Sequence, residues 1–184
     1  MNQQLKQLAY ISYRQNFSWQ ALFKVPFRFV IQFFSGKDII NKKSWCHSAV
    51  FFDGKVVDMM TDKGFRCSNL DEWKKENYKK GLEIYAWNLT TELSEEQENN
   101  VRARIDFLLK DHLHYTVFGA ALSAIDNSVI KYKANNKFCS QIAEDLYITA
   151  ACLKRRKNLT NSTPTELNNR LTGYQIISNL AIEL

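Results

Sequence analysis

Two apolar runs, Trp45 to Phe52 and Lys55 to Met60, are joined by the dipeptide Asp53-Gly54. An Asp-Gly pair between alternating apolar residues is the strongest short-range hairpin signal, because both central residues of the favoured turn need positive φ. The turn also fixes register. A two-residue loop pairs Phe52 with Lys55, Ala49 with Asp58 and His47 with Met60. Successive strand residues face opposite ways, so His47, Ala49, Phe51, Val56, Asp58 and Met60 share one face. A carboxylate among those apolar neighbours needs a partner to offset its desolvation. His47 and Asp58 are diagonal neighbours, roughly 7–8 Å apart between Cα atoms, a span their side chains can close with a hydrogen bond.

Other segments read less sharply. Alternation in Ala9 to Arg14 predicts a first strand, Leu82 to Trp87 another and Phe65 to Cys67 a short one. Ser94, followed by Glu95, Glu96 and Gln97, is a capping box, and Val101, Ile105, Leu108 and Leu109 continue an apolar stripe, giving a helix to Lys110. Val117 to Ile125 reads as helical and Asp126 to Asn136 as a loop. The recurrence of Phe138, Ile142 and Leu146 beside Cys139, Ala143 and Ala150 marks a helix with a broad buried face, capped by Asn135 or Asn136. Thr163-Pro164-Thr165-Glu166 starts a last helix, to about Leu171.

The stretch from Trp19 to Phe34 reads as helical turns broken near Pro26. Phe23, Phe27, Val30, Ile31 and Phe34 recur at helical spacing, with Lys24, Arg28 and Lys37 elsewhere. Core packing is favoured for this stripe over a membrane-surface flap. At 184 residues the chain fits one domain, 1–184, with a helical aromatic insertion near 17–43. A net charge of +6 is too small for a dedicated nucleic-acid binder, so no specific nucleic-acid partner is expected. Lys154 to Lys157 is read as the basic end of a helix.

Cysteines at 46, 67, 139 and 152 lack zinc-ligand spacing and disulfide density, so free, reduced thiols without metal or cofactor are expected. No secretory signal or membrane-spanning run of roughly 20 apolar residues is visible, which leads to a cytoplasmic expectation. Cys46 neighbours His47 on the strand and should face the other way, making a metal pair poor. His112 and His114 read as a solvated helix end, and Cys67 and Cys152 as packing residues.

Cys139 is different because it opens a helix. A thiol there feels the positive end of the macrodipole and unpaired N–H groups, both of which favour thiolate. Lys137 adds charge nearby, and the Cys139 N–H is available to a developing oxyanion. Position alone favours a small buried residue. The combination with a hairpin carrying His47 and Asp58 points instead to a nucleophile, a base and the residue that orients the base.

These residues resemble the permuted NlpC/P60 group of papain-like enzymes, which includes YiiX-like hydrolases and lecithin:retinol acyltransferase-like proteins. Cys46-His47-Ser48-Ala49-Val50-Phe51-Phe52-Asp53-Gly54-Lys55-Val56-Val57-Asp58 is similar to that family's histidine strand, turn and polar third residue. Phe138-Cys139-Ser140-Gln141-Ile142-Ala143 is similar to its nucleophile helix, with Gln141 where glutamate is more usual. Gly64 to Trp73 resembles the return strand and a Leu-x-x-Trp turn, and Leu82 to Leu109 the next strand and helix. His114 to Gly119 resembles a Tyr-Asp segment with Thr116 replacing the acid, which makes Tyr115 a candidate to assist the oxyanion, ahead of Tyr132.

The resemblance implies an α+β, circularly permuted papain-like fold: an antiparallel sheet packed against helices that include the nucleophile helix. It implies a cysteine-dependent hydrolase working through an acyl-enzyme thioester, with Cys139, His47, Asp58 and Tyr115 as its catalytic set. A peptide or cell-wall amide is the first expected substrate. A lipid acyl substrate, with peripheral membrane contact through 23–37, is the alternative, and a non-catalytic binding or virion-associated scaffold the third.

Overall fold

The computed structural model describes residues 8–15, 45–60, 63–78, 82–111, 113–115, 136–154, 162–178 and 182–183, with residues 19, 23, 26, 28 and 29. Its strands are β1 (Ala9–Gln15), β2 (His47–Phe52), β3 (Lys55–Met60), β4 (Gly64–Asn69), β5 (Leu82–Asn88), β6 (His114–Tyr115), β7 (Asn136–Lys137) and β8 (Ile182–Glu183). Its helices are α1 (Leu70–Tyr78), α2 (Glu95–Lys110), α3 (Cys139–Thr149) and α4 (Pro164–Gly173). The architecture is α+β. Six strands form one sheet in the order β4-β3-β2-β1-β5-β8, and every neighbouring pair in it is antiparallel.

The hairpin forms with the register its turn dictates: Phe52 faces Lys55 and Ala49 faces Asp58. Asp53 and Gly54 adopt φ of 52° and 75°, the pair of positive values this turn demands. The pairing then stops. Although β2 begins at His47 and β3 ends at Met60, the last pair in register is Ala49 with Asp58, so the expected His47–Met60 pair does not form.

Strand alternation gives the sheet two buried faces. On one, Tyr10, Val50, Phe52, Val57 and Met59 pack against Val101, Ile105 and Leu108 of α2, Ile142, Ala143 and Leu146 of α3, and Leu167 and Leu171 of α4. On the other, Ile11, Tyr13, Ala49, Val56 and Ile84 pack with Trp73 of α1. Helix α1 was visible in the sequence only as a Leu-x-x-Trp turn. Its buried residues are Trp73 and Asn77, four apart, and a stripe this narrow in a charged segment carries little periodic signal.

The capped helices agree with the sequence. Ser94 accepts the N–H of Gln97, whose Oε1 accepts the Ser94 N–H, and Thr163 accepts the N–H of Glu166 before Pro164. Three helix ends are corrected. Asn136 belongs to β7 and does not cap α3; the cap is Phe138, in extended backbone, whose N–H is accepted by Gln141 Oε1. Helix α3 ends at Thr149, so Lys154, exposed and five residues on, is not a helix terminus. His114 lies on a strand, paired with Asn136, instead of at a helix end.

The expectations for residues 116–135, including Tyr132, lie outside the described residues, as does most of the 17–43 insertion. Residues 19, 23, 26, 28 and 29 within it are helical. Phe23 is 81% exposed and Arg28 only 8%, so at these two positions the stripe is reversed: the assigned core residue faces out and the assigned polar residue is buried. Among the described residues no helix is long and apolar enough to cross a membrane.

Gly64 opens β4 at φ 66°, and a Cβ built there meets the carbonyl oxygen of Leu113 at 2.9 Å. Gly64→Ala should therefore destabilise the protein by at least about 1–2 kcal/mol, from left-handed strain with the close approach added to it. Chemical denaturation measures this, and an unchanged midpoint would contradict the close approach of the Leu113 carbonyl to β4.

Candidate active site

Cys139 is the first residue of α3, and its helix lies across the sheet face that carries β2. Residues flanking a two-residue hairpin loop form a bonded pair, so Phe52, Val50 and Ser48 direct their backbone groups towards β3. Because pairing ends at Ala49, the Ser48 N–H is left without its β3 partner. Both it and the Ser140 N–H instead stabilise the Cys139 sulfur. The helix start thus reaches the imidazole through the place where the ladder ends.

Burial by itself raises the Cys139 pKa, but His47, chiefly through its charge, and then the two amides outweigh that and bring the thiol below its ordinary value. Burial likewise favours neutral His47, yet the charge on Cys139, followed by the carboxylate of Asp58, raises its pKa. The two groups titrate as a pair whose charged form is thiolate–imidazolium. The other three thiols behave oppositely. Burial pushes Cys46 up to about 12 and raises Cys67 and Cys152. All four cysteines are free.

The imidazole is fixed from both sides. Tyr13, its register partner on β1, stacks on it with ring centroids 4.5 Å apart and planes 26° from parallel. Its Nε2 faces Asp58 Oδ2 at 3.8 Å. That is an ion-pair distance rather than the expected hydrogen bond, and Nε2 is buried without a hydrogen-bond partner. With Nε2 turned to Asp58, Nδ1 is the ring nitrogen left for the thiol.

Asp58 is held elsewhere. Arg66, opposite it on β4, donates from Nε and Nη2 to its two oxygens at 2.6 and 3.1 Å, and Trp73 Nε1 donates to Oδ2 at 2.8 Å. Arg66 Nη1 continues the network to Glu76 Oε2 at 2.6 Å. Burial alone would raise the Asp58 pKa; His47 and then Arg66 pull it below the usual carboxylate range. Arg66 and Trp73 were missed because their relation to Asp58 is set by β4 pairing and by α1, neither of which had a clear pattern. The cross-strand position of Arg66 was the one available signal.

Another contribution comes from the segment before and into α4. Ser140 Oγ donates to the Ser162 carbonyl, Tyr10 Oη to the Pro164 carbonyl at 3.1 Å, and the Trp45 N–H to Thr165 Oγ1 at 2.9 Å. One short stretch therefore holds the residue after Cys139 and the residue two before His47. Tyr10 Oη also lies 2.7 Å from Ser48 Oγ. The sequence showed Thr163 to Glu166 only as a helix start, because a cap motif says nothing about distant partners.

Tyr115 is described by its backbone, which pairs with Lys137, two residues before Cys139. Cys46 departs from strand alternation. It sits in a bend before β2, donates to the Tyr13 carbonyl at 3.3 Å and packs with Tyr13 and Ala49 on the His47 side. Among the described residues no group of three or more His, Cys, Asp or Glu is placed to hold a metal.

No protein-family model, curated protein or solved structure matches this chain.

Two outcomes follow from the geometry. His47→Gln removes the charge opposing burial, so the pH midpoint for iodoacetamide alkylation of Cys139 should move from below to above the ordinary thiol value near 9. Alkylation at neutral pH should then slow by about tenfold or more. An unshifted midpoint, followed by mass spectrometry of the Cys139 peptide, would separate the two residues functionally. Asp58→Ala leaves Trp73 Nε1 and two Arg66 nitrogens without their acceptor, while Arg66 keeps its pair with Glu76. Unfolding measurements should show a loss of about 1–3 kcal/mol, the cost of buried donors left unsatisfied. The folded pKa of Asp58 is lowered, so its contribution is present above the unfolded carboxylate value and is lost as pH falls through the folded one.

Proposed function

We propose that this chain is a cysteine-dependent hydrolase of circularly permuted papain-like type that forms an acyl-enzyme thioester, acting first on an amide of a peptide or cell-wall fragment. The observation that carries the reading is the pairing of Cys139 with His47: of the four thiols, this is the one lowered, and it is lowered by an imidazole contributed from far upstream.

The reaction balances with these residues. His47 takes the Cys139 proton, and the sulfur attacks the scissile carbonyl to form a C–S bond and an oxyanion. The Cys139 N–H, which as the first helical N–H has no intrahelical acceptor, donates to that oxyanion, and the Tyr115 hydroxyl is the proposed second donor. As the C–N bond breaks, the imidazolium gives its proton to the leaving amine. Water, deprotonated by His47, then attacks the thioester; the C–S bond breaks and the acid leaves. Asp58, kept ionised by His47 and Arg66, stabilises the imidazolium in both halves.

Cys139 is 2% exposed, so in this reading substrate reaches it through an opening motion, and the rate scales with both the thiolate fraction and the open fraction. The lipid version of the same chemistry is favoured by one observation: Trp19 and Phe23, at helical spacing, are 70% and 81% exposed.

Incubation with an electrophilic acyl probe should give a covalent adduct on Cys139 that Cys139→Ala abolishes and His47→Gln diminishes by about 10²-fold or more. Labelling that survives in Cys139→Ala, or an inert Cys139 in the folded wild type, would leave a binding scaffold as the correct reading.

A further inference from the structure

Arg28 is buried, 8% exposed, and its Nη1 donates to Gln15 Oε1 at 3.1 Å. That neutral oxygen is its one hydrogen-bond partner among the described residues, and no carboxylate pairs with it there. Every other described arginine has one. Arg14 pairs with Glu83, Arg66 with Asp58 and Glu76, Arg102 with Asp53, Arg104 with Asp145 and Arg170 with Glu144. A guanidinium withdrawn from water without a counter-ion is unfavourable, and a planar fork with unused donors suits a carboxylate.

Its position gives this cation a use. Gln15 lies two residues beyond Tyr13 on β1, so both side chains face the same way, and the step between them is roughly 7 Å. Tyr13 is the residue stacked on His47. The charge of Arg28 is felt at both Tyr13 and Cys46, which flank the imidazole.

We propose that Arg28 anchors a carboxylate of the substrate, one to two residues from the carbonyl that Cys139 attacks. This rests on the acyl-enzyme reading and narrows it to amides carrying a carboxylate beside the scissile bond. An extended chain advances about 3.3–3.6 Å per residue, which matches the offset between Tyr13 and Gln15.

The test uses the full chain and two probes, chloroacetyl-glycine and chloroacetyl-glycinamide, which differ only in carboxylate against carboxamide. Alkylation forms an Sγ–C bond, breaks C–Cl and releases chloride, while the thiol proton stays on His47. The Cys139 adduct is followed by mass spectrometry. Wild type should react with the carboxylate about tenfold or more faster than with the amide, the effect of one charge-assisted hydrogen bond. The ratio should fall to about one in Arg28→Gln and be partly restored in Arg28→Lys. Because both rates are taken on the same protein, a general change in folding or opening cancels. A wild-type ratio near one, or a preference that survives Arg28→Gln, overturns the anchor while leaving the acyl-enzyme reading intact.

If folded wild type takes neither probe, the acyl-enzyme reading fails, and the anchor is judged by binding instead. Calorimetric titration of Cys139→Ser with N-acetylglycine should show binding that the added Arg28→Gln change removes. Absence of binding, or stronger binding of inorganic phosphate at the same site, overturns the carboxylate assignment.

Discussion

Cys139 is drawn towards its thiolate by His47 first and then by an amide left over where a hydrogen-bonded ladder stops early. Had β2 and β3 paired to their ends, the Ser48 N–H would have been spent on β3, and the thiol would lack one of its donors. Ending the ladder at Ala49–Asp58 leaves the Ser48 N–H free of β3 on a sheet against which α3 packs. The positive end of that helix and an imidazolium then act on the same sulfur, with little water between them to weaken either.

A site of this kind needs fixed walls. Asp58 is buried with both oxygens bonded to Arg66 and Trp73, so it remains a carboxylate where burial favours the acid. Its 3.8 Å separation from Nε2 is long for a hydrogen bond but short for Coulombic attraction, so the carboxylate acts on the ring through charge. Residues Ser162 to Thr165 hold the other wall by tying α3, β1 and the approach to β2 to one stretch of backbone. Gln141 fits this frame as a capping residue, because its oxygen accepts the N–H of Phe138, which has no side-chain oxygen of its own to offer the helix.

The local rules were legible wherever one short motif carried its own geometry. Asp53-Gly54 set the hairpin and its register, and Ser94 and Thr163 set two helix starts. Legibility failed where partners are distant. Alternation misplaced Cys46, which sits in a bend, and helical spacing reversed Phe23 and Arg28. Apolar periodicity records which side of an element is greasy, and it cannot say whether a cation has been buried for a purpose other than packing.

By itself the sequence determined the hairpin, the facing of His47 and Asp58 and a thiol at the head of a helix, because turn chemistry, strand alternation and capping act over a few residues. Tertiary structure decided that Cys139 meets His47, that Arg66 and Trp73 take the oxygens of Asp58, and that Arg28 lies buried beside Gln15. Those pairings join residues far apart in the chain, and they form only when the sheet and helices close on one another and remove the water that would otherwise separate the charges.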